Sequence, residues 1–361
     1  MTDPMVSVNM ITYNHRRYLA EAIEGVLMQE TDFPLELVIG EDCSTDGTRE
    51  IAFDYQRRFP DVVRVVTSEQ NVGSRANSYR VRKASRGKYI AFCEGDDYWI
   101  DPRKLQKQVD FLESHPDYGL VHTDVQMLFD QTGITTPHAH RVAGAVHDDS
   151  EDLFLALALR RYRIWTGTVC ARTSLVLHVT ESNPEEFQTT RFLMGDLPLW
   201  LELSRLCRFE YFDEQTATYR IGAESASKSQ VPARSLRFRR SAKDMHLHYL
   251  RKYNYPPAAE REVVRMFNEP LLWFAFLAGD VEQARSVIRE NEAHGIRNGF
   301  KEQCLYAGAR CRIVGPAVNS LIALRTGIGV GARRFAAKRA WCLWLYRQVT
   351  GRNPVLRTTG L

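Results

Sequence analysis

The segment GKYIAFCEGDD, residues 87–97, places a short apolar run directly before a cluster of acids. An apolar run of this length next to glycine is typical of a buried strand, so the acids occupy the loop at its carboxyl end. Crowded carboxylates repel one another unless a cation offsets their charge, and Mg²⁺ or Mn²⁺ accepts such oxygen ligands. Gly95 lets the backbone turn so that the acids on either side converge. The stretch predicts a strand followed by a metal-binding loop; an acidic turn that caps the next helix is the alternative.

Further short β-branched runs alternate with helical patterns on both sides of this segment. We predict strands at residues 6–11, 35–40, 62–66, 89–93 and 119–123. Apolar residues from Leu19 to Leu27 recur at helical spacing, a second helix opens near Asp46, and Asp101-Pro102 predicts the cap and first position of a third. This alternation indicates an α/β fold with a mostly parallel sheet flanked by helices.

Polar residues also follow the first two predicted strands. Thr12-Tyr13-Asn14 comes after the first strand, and the segment 41–48, which contains Asp42, comes after the second. In open α/β sheets, ligands bind beyond the carboxyl ends of the strands. We therefore expect these residues and the acids at 94–97 to share one edge of the sheet.

The pattern changes beyond about residue 150. A helix at 153–159, a strand-like stretch at 164–171, a helix after Asp196, and two short strands near Phe209 and Thr218 would extend the sheet. Basic amphipathic segments at 235–253 and 260–277 predict a helical carboxyl-terminal region.

Charge is distributed unevenly along the chain. The net charge is +4, but residues 301–361 hold eleven Lys or Arg against Glu302 alone, which is +10 and leaves −6 for the remainder. Such a basic end favours an anionic partner, either a membrane surface or nucleic acid. Residues 333–349 interleave arginines with aromatics as interfacial helices do, although a basic helix that packs its aromatics on the protein has the same pattern.

The start of the chain and the cysteines bear on the compartment. No basic segment followed by a long apolar run opens the sequence, so we expect no secretory signal and a location inside the cell. The seven cysteines are scattered and never spaced C-x-x-C, which is typical of reduced thiols. No apolar run reaches the roughly 18 to 20 residues that span a bilayer.

Together, four motifs resemble the family 2 inverting glycosyltransferases of GT-A fold. They are residues 6–14, 41–48, 71–73 and 87–97, and the resemblance covers residues 5 to about 125, extending more loosely to about 225. It implies transfer of a sugar from a nucleoside-diphosphate donor to a glycan or lipid-linked acceptor, with Mg²⁺ or Mn²⁺ as cofactor.

The resemblance also implies individual roles on the donor side. Asp96 matches the metal ligand of the family's D-x-D element, in which Glu94 stands where aspartate is usual. Histidine is common in relatives at the position of Gly222, so the cation is left to Asp96, the diphosphate and water. Donor-nucleotide contacts are implied for Thr12, Tyr13, Asn14, Asp42, Arg75, Glu94 and Gly95. For Arg75, which would meet the diphosphate, an ordinary surface arginine is the alternative.

The general base is expected at Asp196, which resembles the acidic residue that heads an acceptor-side helix in the family. Asp is also a common helix cap, so a purely structural role is the alternative. Asp97, Trp165 and Trp200 are expected on the acceptor side. The implied reaction is a single displacement with inversion, in which Asp196 takes the proton of the acceptor hydroxyl.

These expectations divide the chain into two regions. Residues 1–228 form the GT-A domain, with a nucleotide-sugar half (1–125) and an acceptor half (126–228), and residues 229–361 form the helical basic region. We expect a cell-envelope or extracellular polysaccharide enzyme at the inner face of the cell membrane, held there by residues 301–361, with no nucleic acid partner. The alternatives are a non-catalytic sugar-nucleotide-binding adaptor for membrane or nucleic acid, and a sugar nucleotidyltransferase.

Overall fold

The computed structural model describes residues 3–139, 152–222 and 231–310. The chain divides into two compact units, Met1–Ala223 and Glu224–Leu361. The sequence predicts the boundary after residue 228, within a segment, 223–230, that lies outside the described residues.

In the described part of the first unit, nine strands form one mixed sheet. The strands are β1 (Val6–Thr12), β2 (Leu35–Glu41), β3 (Val63–Thr67), β4 (Tyr89–Phe92), β5 (Tyr98–Trp99), β6 (Tyr118–Phe129), β7 (Ile134–Thr136), β8 (Cys170–Arg172) and β9 (Arg208–Ile221). The helices are α1 (Leu19–Leu27), α2 (Thr48–Arg58), α3 (Gly73–Ala84), α4 (Lys104–Ser114), α5 (Leu153–Ala158), α6 (Thr173–Ser182), α7 (Pro184–Phe187) and α8 (Leu197–Leu203).

The strand order is β3-β2-β1-β4-β8-β6-β9-β5, with β7 paired to β6. Strands β1 to β4 are parallel where they pair, β8 is antiparallel to both of its neighbours, and β6 pairs with β9 in parallel. Because two antiparallel pairings restore the original direction, β6 points the same way as β4. The carboxyl ends of β1, β2, β4 and β6 therefore meet at one edge, and the predicted mixed, mostly parallel α/β sheet is confirmed.

The predicted apolar runs build the core of this unit. Val8 of β1 pairs with Leu37 of β2 and Ala91 of β4, and all three are fully buried. The helical stripe of α1 supplies Leu19 and Ile23, also fully buried. Strands buried on both faces read as continuous apolar runs, which is why the sequence pattern identified them.

Three predicted elements differ from the structure. Helix α4 begins at Lys104 rather than at Pro102, because Asp101 instead closes a turn in which its carboxylate accepts the Arg103 N–H at 2.9 Å. The strand-like stretch 164–171 contains a 3₁₀ turn, Thr166–Thr168, and only then the short β8. The two short strands near Phe209 and Thr218 are one continuous strand, β9, which pairs along β6 with irregular register.

The second unit contains α9 (Pro232–Lys252), α10 (Pro257–Ala278), α11 (Val281–Ala293) and α12 (Phe300–Arg310) within its described residues. These helices match the predicted helical carboxyl-terminal region. The predicted interfacial segment 333–349 lies outside the described residues. Across the described ranges, each helix is too short or too polar to cross a bilayer.

Candidate active site

The loops after β1 and β2 are joined by hydrogen bonds. The Asn14 backbone N–H donates to the Ser44 hydroxyl at 3.0 Å, and the Asn14 side-chain oxygen accepts the Thr45 N–H at 2.9 Å. Asn14 has a φ of +55°, a left-handed conformation that asparagine tolerates better than most residues. Tyr13 is exposed, whereas Thr12 is buried and its carbonyl accepts the Asp42 N–H at 3.1 Å. Three of the predicted donor residues thus lie on one joined rim.

Asp42 lies buried at the amino terminus of α3. Its two carboxylate oxygens accept the backbone N–H groups of Val72 and Gly73, each at 2.9 Å, and Arg80 Nη2 lies 3.7 Å from Oδ1. A carboxylate is favoured at a helix amino terminus because the helix dipole is positive there. Each oxygen keeps a second lone-pair site, so Asp42 retains acceptor capacity for a nucleobase or ribose.

Gly95 packs the acidic loop directly against β1. A Cβ atom at this position would come within 2.8 Å of both Cβ and Oγ1 of Thr12, a distance at which something must shift. The Gly95 N–H also donates to the Ile11 carbonyl at 3.1 Å. Only glycine fits this approach, which brings the acidic loop beside the Thr12 rim.

Glu94 marks the point where three acids meet. Its carboxylate oxygen Oε2 is buried and has no hydrogen-bond partner among the described residues. Burial first, and then the negative charges of Asp96 and Asp196, raise the pKa of Glu94 to about 8. A Cβ atom on Gly167 would lie 3.7 Å from Oε2, so Glu94 lies beside the 3₁₀ turn.

Asp97 faces away from the open side of this loop. It is buried, and its Oδ1 accepts the Arg220 backbone N–H at 2.7 Å. Burial, together with the charges of Asp96 and Glu94, raises the pKa of Asp97 well above its usual range. Asp97 therefore ties the acidic loop to β9, whereas the sequence predicts a place on the acceptor side.

Asp196 is exposed at the start of α8. Its Oδ1 accepts the Leu197 N–H at 2.8 Å, and its Oδ2 accepts the Thr166 hydroxyl at 3.2 Å. Thr166 belongs to the 3₁₀ turn, which is itself held by the Trp99 indole N–H donating to the Gly167 carbonyl at 2.7 Å. The carboxylate is thus oriented from two sides and remains open to solvent.

The two predicted acceptor-side tryptophans differ in exposure. Trp165 is half-buried, with its ring centroid 4.9 Å from that of Tyr219 and with the Arg163 guanidinium carbon 4.9 Å from its own centroid. Trp200 is only 1% exposed and meets Phe92 edge-on at 5.7 Å. The prediction for Trp200 is wrong, because a core ring offers no face to an acceptor sugar.

Arg75, predicted to meet the donor diphosphate, contacts protein carbonyls instead. Its guanidinium donates to the backbone oxygens of Gly195 and Phe192 at 3.1 and 2.9 Å and also to that of Met194. Sequence reasoning gave no sign of this contact, since the partners are backbone atoms more than a hundred residues away.

Two further residues at the site were not predicted. Arg220 Nε donates to the Asp96 carbonyl at 2.9 Å, and its guanidinium carbon lies 4.6 Å from the centroid of the Tyr18 ring. Thr166 holds Asp196, as described above. The signal for Arg220 in the sequence is that it lies two residues before Gly222, the position where relatives often carry histidine.

The acidic loop has the donor set that a hard divalent cation requires. Oxygen ligands suit Mg²⁺ or Mn²⁺. A bound cation would offset the burial and the repulsion that together raise the pKa of Glu94, and it would give the Oε2 atom a partner. The residues present therefore fit a divalent metal at Asp96, with Glu94 beside it.

A second group of potential ligands lies elsewhere on the sheet. In the described residues, Asp124, His138 and Asp213 place ligand atoms within 4.8 Å of one another. Gln215 Oε1 accepts the His138 backbone N–H, so the Gln215 amide nitrogen, 3.2 Å from His138 Nε2, donates to it. His138 Nδ1 lies 3.3 Å from Asp124 Oδ2. We favour the acidic loop for the metal because Gly95 packs that loop against Thr12, beside the loop that carries Asp42.

The sheet order and the acidic loop define a class: the GT-A fold of nucleotide-sugar transferases. Two solved structures share this fold. Staphylococcus aureus TarS, residues 1–349, in complex with UDP aligns with a TM-score of 0.51 at 18% identity over 90% of this chain and 93% of that one. The mannosyltransferase PcManGT from Pyrobaculum calidifontis, in complex with GDP-Man and Mn²⁺, aligns with a TM-score of 0.51 at 14% identity. The alignment covers 98% of this chain and 89% of that one.

The chain belongs to glycosyl transferase family 2, whose model matches residues 7–170. The putative glycosyltransferase EpsE of Bacillus subtilis is 32% identical over 62% of this chain and 74% of its own length. The S. aureus poly(ribitol-phosphate) beta-N-acetylglucosaminyltransferase TarS is 26% identical over 63% of this chain and 38% of its own. The uncharacterized protein Rv1520 of Mycobacterium tuberculosis is 42% identical over 35% of this chain, and the match spans 36% of that protein.

Proposed function

We propose that this protein is a metal-dependent inverting glycosyltransferase that moves a sugar from a nucleoside-diphosphate donor to an acceptor hydroxyl. One observation carries the proposal: Glu94 Oε2 lies 3.7 Å from the place that a Cβ atom on Gly167 would take, and the adjacent Thr166 hydroxyl donates to the Asp196 carboxylate at 3.2 Å. The donor-side metal ligand and the acceptor-side base that the family resemblance implies are thus neighbours. A carboxylate at each side of one cleft is what a single displacement requires.

Donor binding would use the rim that joins the first two strands. Thr12 and Asp42 present buried acceptor groups for the nucleobase and ribose, with Tyr13 and Asn14 on the exposed side. Gly95 brings the acidic loop against Thr12, so the diphosphate of a nucleotide bound there would reach Asp96. TarS is described in complex with UDP, and PcManGT in complex with GDP-Man and Mn²⁺. These ligands support a nucleoside-diphosphate sugar as the donor, with Mn²⁺ or Mg²⁺ as the cofactor.

In the reaction, Asp196 accepts the proton of the acceptor hydroxyl on a carboxylate oxygen. The acceptor oxygen forms a bond to the anomeric carbon while the bond from that carbon to the diphosphate oxygen breaks, which inverts the configuration. The hydrogen bonds from Thr166 and the Leu197 N–H keep the carboxylate oriented during this transfer. A divalent cation at Asp96, when bound, supplies positive charge that stabilises the departing nucleoside diphosphate.

The names of TarS and EpsE support polysaccharide synthesis as the setting, and we place the acceptor in the cell envelope or an extracellular polysaccharide. Trp165, with Arg163 above its ring, lies on the turn that carries Thr166 and would form one wall of the acceptor cleft. An aromatic ring beside the base is suited to stack on a sugar.

A donor panel tests the proposal directly. Thermal unfolding is followed with UDP, GDP, UDP-GlcNAc and GDP-mannose, each with and without Mn²⁺, because a ligand that binds only the native state stabilises it. We expect one nucleotide series to raise the Tm, with the rise dependent on Mn²⁺ and lost in Asp96→Asn. Asp196→Asn should keep the nucleotide shift but lose sugar transfer. Near-normal turnover of Asp196→Asn would refute the base role.

Residues 301–361 would hold the enzyme at the inner face of the cell membrane. Their net charge of +10 favours an anionic leaflet. The test is sedimentation with vesicles of neutral or partly anionic lipid, comparing the full chain with a variant in which Arg333, Arg334, Lys338 and Arg339 are each changed to Gln. Equal partition of the two proteins onto anionic vesicles would argue against this anchor.

A further inference from the structure

Arg75 reaches from one part of the first unit to another. It lies in the first turn of α3, yet its guanidinium donates to backbone carbonyls of Phe192, Met194 and Gly195. Three hydrogen bonds use three of the five N–H donors of an arginine. Few donors are therefore left for a diphosphate, which is the ligand expected for this residue from the sequence.

The three carbonyls belong to the segment that leads directly into Asp196. This segment is neither helix nor strand, so its carbonyls cannot be satisfied by a regular backbone ladder. The planar fork of a guanidinium can bind several oxygens in a fixed geometry, which the single ammonium of lysine cannot. Arg75 thereby fixes the backbone on the amino-terminal side of Asp196, while α8 fixes the other side.

The helix that carries Arg75 is in turn held by Asp42, which we propose contacts the donor nucleotide. The helix that carries it begins at Gly73, whose N–H, with that of Val72, donates to the Asp42 carboxylate at 2.9 Å. A continuous set of hydrogen bonds therefore runs from Asp42, through the first turn of α3 and Arg75, to the backbone before Asp196.

We propose that Arg75 is a positioning residue that sets the location of the Asp196 carboxylate, because its guanidinium binds the carbonyls of residues 192, 194 and 195. The inference rests on the proposed function, since it assumes that Asp196 is the base. On this proposal, Arg75 affects the rate of the chemical step and does not affect the affinity for the donor. A misplacement of a reacting group by about 1 Å costs roughly 100-fold in rate.

The kinetic test separates these two roles. Arg75→Lys keeps the charge without the fork, and Arg75→Gln removes the charge. For both variants we expect kcat for release of nucleoside diphosphate from UDP-GlcNAc or GDP-mannose to fall by roughly 10- to 100-fold. The Kd for UDP or GDP with Mn²⁺, measured by calorimetry, should stay within about twofold of the wild-type value, because Arg75 does not bind the nucleotide in this proposal. Combining Arg75→Gln with Asp196→Asn should add little to the loss from Asp196→Asn alone.

The matched control is Lys83→Gln, which removes a cation from the same helix. Lys83 forms an exposed pair with Glu181 at 2.7 Å, and its loss should leave kcat unchanged. A raised Kd for UDP or GDP with normal kcat in Arg75→Lys would overturn the proposal in favour of diphosphate binding. Additive losses in the double variant would also overturn it.

Hydrogen exchange separates failure of this inference from failure of the proposed function. Amides of residues 192–199 should exchange faster in Arg75→Gln than in the wild type or in Lys83→Gln. If the wild type releases no nucleoside diphosphate from any donor, the proposed function fails, and exchange alone decides whether Arg75 holds this segment. Unchanged exchange at these amides would overturn the positioning role whatever the activity.

Discussion

The Thr166 hydroxyl donates a hydrogen bond to the Asp196 carboxylate at 3.2 Å, linking the 3₁₀ turn before β8 to the start of α8. The turn is itself held by the Trp99 indole N–H, which donates to the Gly167 carbonyl. The carboxylate that we propose as the base is therefore oriented by Thr166, which has no proposed part in the reaction itself.

Replacing Thr166 by valine should slow transfer without unfolding the protein. The substitution keeps the shape and removes the donor, and one lost hydrogen bond to a carboxylate corresponds to roughly a tenfold lower kcat. Steady-state kinetics of nucleoside-diphosphate release measure this loss. Thr166→Ser, which keeps the hydroxyl, is the control and should retain most of the rate. Equal rates for valine and serine would show that the contact is dispensable.

Replacing Arg220 by glutamine should weaken metal binding. The Arg220 Nε donates to the Asp96 carbonyl at 2.9 Å, and the guanidinium Nη1 lies 3.5 Å from the Asp130 carboxylate. Loss of the side chain frees the acidic loop, so the Kd for Mn²⁺ should rise roughly tenfold as support around the site is lost. Mn²⁺ titration followed by electron paramagnetic resonance measures it.

The control for Arg220 is Arg17→Gln. Arg17 pairs with the same Asp130 at 3.3 Å but is largely exposed, so its removal should leave Mn²⁺ affinity within about twofold. The free energy of unfolding should fall by roughly 3 kcal/mol in Arg220→Gln, because Asp130 loses its mostly buried partner. Unchanged Mn²⁺ affinity in Arg220→Gln would contradict the role given to this residue.

Replacing Asp42 by alanine should destabilise the first unit as well as weaken nucleotide binding. The substitution removes the Asp42 acceptor of the Val72 N–H and one of the two acceptors of the Gly73 N–H, which also donates to the Asn71 side-chain oxygen at 3.0 Å. We expect a cost of about 2 kcal/mol in the free energy of unfolding. Asp42→Asn keeps one oxygen and should lose less. Urea unfolding provides the measurement, with the exposed Asp61→Ala as a control expected to change stability by less than about 0.5 kcal/mol. Similar losses in Asp42→Ala and Asp61→Ala would show that the cap contributes nothing.

Replacing Lys104 by methionine should change how stability depends on pH. Lys104 is buried, bonds the Gln108 amide oxygen at 2.8 Å, and lies 4.3 Å from the Trp99 ring centroid. Burial lowers the pKa of Lys104 to about 8, whereas the unfolded chain keeps a pKa of about 10.4. The unfolded state therefore holds the proton more tightly, and wild-type stability rises as pH increases between these values.

Urea unfolding at about pH 7 and about pH 10 measures this effect as a difference between wild type and Lys104→Met. Methionine has no proton to lose, so its advantage over lysine should shrink by about 2–3 kcal/mol from the lower to the higher pH. Other groups titrate equally in both proteins and cancel. A constant difference across this range would mean that the amine keeps its usual pKa in the folded state.

The central strands can be predicted from the sequence because buried strands consist mostly of apolar residues. The stretches at 6–11 and 35–40 are mostly apolar, with Ser7, Asn9 and Glu36 as exceptions, and 89–93 is apolar apart from the Tyr89 hydroxyl. Strands covered on both faces need such largely apolar runs. The loops of Thr12, Asp42 and Asp96 followed from the same reasoning, since the carboxyl ends of parallel strands share an edge. Fold class and the location of the donor rim therefore came from local signals.

Other features depend on contacts that local patterns do not encode. The sequence predicts two short strands in place of β9, because the residues of β9 are largely polar and half-exposed. The pairing of β9 with β6 spans about ninety residues of sequence. Trp200 is expected on the acceptor side from its place in the motif around Asp196, whereas α8 places it in the core against Phe92. The partners of Arg75 are backbone oxygens, which leave no trace in side-chain identity.

Two very short strands link parts of the sheet. The three-residue strand β8 connects β4 to β6, and the two-residue strand β5 connects the acidic loop to β9. Insertions and replacements beyond β6 can therefore accumulate without disturbing the register of β1, β2 and β4.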